Sequence, residues 1–133
     1  MAKSSDRLKR YLDTTLEECG SEDIQKRLDE LESLREALNT EQIKAEREVL
    51  ASMANQTRYT LLCVLTAAER ELCVCELNAV VDVSESGLSH ALSDLEKAGL
   101  IEGRKDGRWK HFRATKRAIA ICTVVKGSVA VNE

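Results

Sequence analysis

Proline is absent from this sequence, and aromatic residues are scarce: Tyr11, Tyr59, Trp109 and Phe112 are all it has. That shortage disfavours a β-sandwich and Pro-rich disorder. Long apolar runs are missing too. Strictly apolar stretches such as residues 61–65 fall far short of the roughly 20 residues that a membrane span needs. The first residues, Met1-Ala-Lys-Ser-Ser-Asp-Arg, lack the apolar core of a secretory signal, so the chain is expected to be cytoplasmic, with no membrane partner. In that compartment its five cysteines stay reduced, and paired ones read as metal ligands or redox groups rather than bridges. Nor does one sign of charge dominate, the net charge being −3.

What is present suits one domain of ordinary size. The 133 residues are 43% apolar, enough to fill a single core, and 32% charged, which points to long solvated helical faces. A first charged helix is expected over residues 6–18, carrying Leu8, Tyr11, Leu12 and Leu16. Cys19-Gly20 ends it and Ser21 begins the next. There Ile24, Leu28, Leu31, Leu34 and Leu38 form an amphipathic stripe closed by Asn39. Thr40 is expected to cap a third helix running to Ala54, and Asn55 a fourth, from Gln56 to about Ala67.

A short apolar segment over residues 72–81, a break at Val83-Ser84 and a helix over 85–98 read as a helix-turn-helix. Leu88, Ala91, Leu92 and Leu95 share one face of the second helix, and Gly99 stops it. Segments 100–105 and 108–113 then flank Asp106-Gly107, a strong hairpin signal. The expected fold is mainly α with a small β-hairpin: a winged helix-turn-helix with an N-terminal helical extension. Residues 1–39 would form a helical arm that takes part in dimerisation, 40–117 the winged helix and 118–133 a C-terminal dimerisation segment. A helix to Lys126, ended by Gly127, is expected in the tail.

Charge is distributed unevenly. Between Ile101 and Arg117, seven basic residues stand against two acidic ones, a local excess of five positive charges on an acidic chain. Such an island is either a solvated hairpin or an electrostatic footprint for nucleic acid. Opposite the apolar face of the second helix stand Ser86, His90, Ser93 and Lys97, with Ser89 to one side. Ser86, Ser89 and His90 occupy the N-terminal half, which a recognition helix turns toward base edges, and Ser84 fits an N-cap. With Arg104, Lys105, Arg108 and Lys110 on the adjoining hairpin, double-stranded DNA is the expected partner.

Cys73-Val74-Cys75 carries the clearest chemistry. Residues two apart share a side of a strand but lie about 200° apart on a helix. Both sulfurs therefore reach one ion only if the segment is extended or the first helical turn distorts. The plain alternative is a pair of small buried hydrophobes.

The stretch Glu71-Leu72-Cys73-Val74-Cys75-Glu76-Leu77 closely resembles the ELCVCDL signature of the ArsR-type (arsenical-resistance) winged-helix repressors. The likeness extends upstream through Leu50-Ala51 and Gln56-Thr57-Arg58. Downstream it runs through Val83-Ser84, Leu88-Ser89-His90-Ala91-Leu92, Gly99-Leu100-Ile101 and Arg104-Lys105-Asp106-Gly107-Arg108-Trp109-Lys110, covering about residues 45–115. The resemblance implies a homodimeric repressor that leaves its operator when a toxic metal or metalloid binds its thiolates, with Cys73 and Cys75 at the ligand positions. Two departures stand out. Asn78 occupies the place of a frequent third cysteine, which makes Cys19 the leading candidate for the third ligand, with Cys63 and Cys122 expected in the core. The tail after Arg117 has no His or Asp for the zinc site that some relatives carry there, and His111 is expected to be structural.

Three thiolates suit As(III) or Sb(III) as inducer, ahead of Cd²⁺, Zn²⁺ or Pb²⁺, which four suit better. No constitutive cofactor is expected. Competing readings are a redox-sensing repressor that uses the same cysteines, a structural zinc module and a thiol enzyme. Enzymatic chemistry is disfavoured, because the sequence offers no nucleophile–base–orienter set and no Gly-rich phosphate loop.

Overall fold

The computed structural model describes residues 2–15 and 20–129. Among the described residues, seven helices and three strands follow in the order α1 (Ala2–Thr15), α2 (Ser21–Glu36), α3 (Thr40–Met53), α4 (Gln56–Ala68), β1 (Leu72–Cys73), α5 (Val74–Val80), α6 (Glu85–Lys97), β2 (Ile101–Asp106), β3 (Trp109–Ala114) and α7 (Lys116–Ser128). The chain divides into two units, residues 1–43 and 44–133. Among the described residues, no helix is long and apolar enough to cross a membrane.

In the first unit α1 starts earlier than expected, and α2 begins at Ser21 as expected but ends at Glu36. Its stripe stays open: Leu31, Leu34 and Leu38 are exposed. The cap of α3 is Asn39 rather than Thr40, because the Asn39 side chain accepts the Gln42 N–H at 3.1 Å. Asn's short carbonyl arm satisfies an orphan donor of the first turn there.

The second unit is the winged helix. Asn55 caps α4 through the Arg58 N–H, and Ser84 caps α6 through the Gly87 N–H. Leu61, Leu62 and Leu65 of α4, Leu77 of α5 and Leu88, Leu92 and Leu95 of α6 meet Leu100, Ile101 and Phe112 in one core. Gly99, at φ 74°, turns the chain out of α6 in a left-handed conformation that only glycine adopts at no cost.

The hairpin is shifted by one residue from the expected turn. Asp106 pairs with Trp109, so Gly107 and Arg108 form the two-residue loop. Gly107 has φ 64° and supplies the positive φ that a type II′ turn needs at its first central position. Arg108 thereby sits at the wing tip. The sequence reading also missed β1. This two-residue strand pairs antiparallel with the wing, Leu72 opposite Phe112 and Cys73 opposite His111, giving the sheet order β1-β3-β2. The tail is helical as expected but continues through Gly127 to Ser128, with Thr115 as its cap.

Candidate functional site

Cys73 ends β1 and caps α5, while Cys75 is the second residue of that helix. The conflict between a strand's period and a helix's is resolved because the pair straddles the junction. Cys73 is extended (φ −68°, ψ 150°) and Cys75 is helical. Their sulfurs lie 3.0 Å apart, the Cys75 thiol donating to Cys73. That hydrogen bond, with N–H donors of the first turn, holds the Cys73 thiol below its ordinary value, and the same bond raises Cys75.

Glu76 accepts the Cys73 N–H at 2.9 Å, closing a capping box in which sulfur replaces the usual hydroxyl. This bond lowers the Glu76 carboxyl, and an ion pair with Arg70 lowers it further. Cys73 is buried and Cys75 exposed. Both line a cleft of ≈ 470 Å³ whose other walls include Leu88 of α6 and Arg108, Trp109 and Lys110 of the wing.

Among the described residues, no third His, Cys, Asp or Glu joins the pair in a metal-binding group. Cys19, the expected third ligand, lies outside the described residues. Cys122 is buried in the core as expected, where burial raises its thiol, whereas Cys63 is only half-buried. Each is on a helix other than α5, Cys63 on α4 and Cys122 on α7.

The expected DNA-facing residues of α6 are all at the surface: Ser84, Ser86, Ser89 and His90 are exposed, as are Ser93 and Lys97. On the wing, the four basic residues divide by their partners. Arg104 is held by both oxygens of Glu71, at 2.9 Å from Nε to one and 2.9 Å from Nη2 to the other, which raises Arg104 and lowers Glu71. Lys110 pairs with Glu96 of α6 at 3.7 Å and lies 4.9 Å from the Phe112 ring centre. Arg108 stacks 5.3 Å from the centre of Trp109. Among the described residues, neither Lys105 nor Arg108 has a carboxylate within 4.0 Å.

Sequence reasoning missed the Glu71–Arg104 link, which ties the wing to the residue just before β1. It also missed Arg58, which donates to the Ser52 and Ala51 carbonyls and pairs with Asp94 of α6. Neither link leaves a local signature, since the partners are 33 and 36 residues apart.

The sequence model described as bacterial regulatory protein, arsR family, matches residues 55–102, from the α4 cap to the second residue of β2. A protein of Halobacterium salinarum, named as an arsenical resistance operon repressor, is 44% identical over 94% of this chain and 97% of its own length. The chain belongs to the ArsR family. The arsenical resistance operon repressor of Escherichia coli is 38% identical over 46% of this chain and 51% of its own. Among solved structures, reduced HlyU from Vibrio cholerae superposes with a TM-score of 0.60 at 26% identity, covering 69% of this chain and 96% of that one. As an ArsR-family winged helix, the protein is a DNA-binding transcription regulator rather than an enzyme.

Proposed function

We propose that this ArsR-family protein is a metalloid-responsive repressor that binds double-stranded operator DNA as a homodimer and is released when As(III) or Sb(III) binds Cys73 and Cys75. The observation that carries this reading is the 3.0 Å approach of the two sulfurs at the junction of β1 and α5. Bonds of about 2.3 Å to sulfur separate two sulfurs by about 3.8 Å at a tetrahedral ion and about 3.3 Å at near right angles, as in a pyramidal trivalent ion. Both spacings are reached from the observed 3.0 Å by small side-chain rotations, so one ion can take both sulfurs, and the arsenical-resistance relatives favour a metalloid as that ion. The same sulfurs sit at a lever point. β1 hydrogen-bonds to the wing strand β3, and α5 opens the helix-turn-helix, so parting the two thiolates from 3.0 Å to seat one ion strains both elements.

The homodimer is supported by apolar surface left exposed among the described residues: Ile119, Val124, Val125 and Val129 of the C-terminal segment, Val124 by 70%. Ser86, Ser89 and His90 are assigned to base edges, with Lys105 and Arg108 of the wing on the phosphate backbone and Arg104 and Lys110 holding the wing in place beside it. Cys73→Ser and Cys75→Ser, singly, test the switch. Serine is nearly isosteric but stays protonated, so each variant should bind operator DNA like the wild type and lose release by arsenite. An anisotropy titration of promoter DNA in excess reductant reads both. Release of the Cys73→Ser protein at wild-type arsenite concentration would refute the mechanism.

A further inference from the structure

The described residues offer a trivalent ion two sulfurs and, beside them, an open cleft. One of those sulfurs, on Cys75, is exposed, and the cleft reaches from the pair to the wing tip. Three charged side chains line it: Arg108 and Lys110 on the wing and Glu85 at the start of α6. Lys110 is partly committed to Glu96, and among the described residues the recorded partner of Arg108 is the Trp109 ring. The cleft wall is thus net positive, with its least committed cation at the tip. Cys73 and Cys75 both border this space.

We propose that the third donor is a low-molecular-weight thiol bearing carboxylates, so that the inducer is bound as a ternary adduct of protein, metalloid and anionic thiol. This rests on the proposed role of Cys73 and Cys75. The chemistry is ligand exchange without redox change. Three S–H bonds, two from the protein and one from the small thiol, exchange with the three As–O bonds of arsenous acid, forming three As–S bonds and releasing three water molecules. The carboxylates of the small thiol then lie against Arg108 and Lys110. This also gives release a direct electrostatic component: the adduct neutralises at the wing tip a charge that would otherwise face phosphate.

The test uses the purified full chain with a phosphine reductant, so that no other thiol is present. Arsenite is titrated alone and with saturating mercaptosuccinate (anionic), 2-mercaptoethanol (neutral) or cysteamine (cationic), following Trp109 fluorescence, and the species are weighed by native mass spectrometry. Free arsenite also exchanges with each thiol, so the readout is the ratio of apparent affinities in wild type relative to Arg108→Gln. A solvent-exposed charge pair changes affinity by up to about fivefold. The wild type should therefore favour the anionic thiol over the neutral one by about threefold to fivefold more than Arg108→Gln does. That excess should shrink as salt rises, and Arg108→Lys should keep part of it. The expected mass is one arsenic and one small thiol per chain.

Equal ratios in wild type and Arg108→Gln overturn the proposal. So does a saturated complex holding arsenic but no small thiol, which, if Cys19→Ser abolishes it, makes Cys19 the third donor. In either case Cys73→Ser, which should lose arsenite binding in every thiol, tells the two failures apart: its loss keeps the two-cysteine site standing, and its retention brings that site down as well.

Discussion

The partners of the wing cations are expected to set an unequal load on DNA, which salt dependence measures. Arg104 is engaged by both Glu71 oxygens and Lys110 by Glu96, whereas Lys105 and Arg108 have no carboxylate within 4.0 Å among the described residues. Lys105 and Arg108 are therefore expected to carry the phosphate contacts, and Arg104 and Lys110 to position the wing against β1 and α6. Removing one cation from a phosphate changes the slope of log affinity against log salt by about 0.9. A homodimer presents two wings, so Lys105→Ala or Arg108→Ala should make the slope shallower by about 1.8. Between about 50 and 200 mM salt, the wild type then loses on the order of tenfold more affinity than either variant. Arg104→Ala and Lys110→Ala should weaken binding with little change of slope. Fluorescence anisotropy on one promoter fragment at four salt concentrations distinguishes the two groups. If Arg104→Ala flattens the slope as much as Lys105→Ala does, the division by ion pairing is wrong.

Three further outcomes are expected. Gly103→Ala should destabilise the fold by about 1–3 kcal/mol, read as a lower Tm by calorimetry, because an added Cβ would come within 2.8 Å of Glu96, Lys110 and Phe112, the last fixed in the core. Leu95→Ala, with its side chain wholly buried between α6 and the core, should cost about 2–5 kcal/mol in urea denaturation, and an unchanged midpoint would place Leu95 outside the core. Substituting Ser86, Ser89 or His90 by alanine should alter the preferred sequence in a binding-site selection while leaving the salt slope at its wild-type value.

The helix-turn-helix is legible in the amino-acid sequence because its signals are local. Asn55, Ser84 and Gly99 each act within four residues of themselves, and the spacing of Leu88, Leu92 and Leu95 defines one face of α6 wherever that helix is packed. The hairpin is legible for the same reason, and its register is not. Asp106-Gly107 announces a turn, but whether the loop begins at Asp106 or Gly107 depends on which residues of β2 and β3 pair, and Phe112 and Ala114 must enter the core for the pairing to hold.

The family and the α-rich fold are legible in the amino-acid sequence, and the likeness of residues 71–77 to the family signature singles out Cys73 and Cys75 as candidate ligands. How those sulfurs meet depends on pairing between distant parts of the chain. Two residues make no strand on their own; Leu72 and Cys73 are extended because β3, some 40 residues later, supplies their hydrogen-bond partners, and the helix can then begin between the two cysteines. The division of the wing cations has the same origin. Glu71 and Arg104 are 33 residues apart, and a carboxylate selects one guanidinium from a basic cluster only when the folded chain brings the two together.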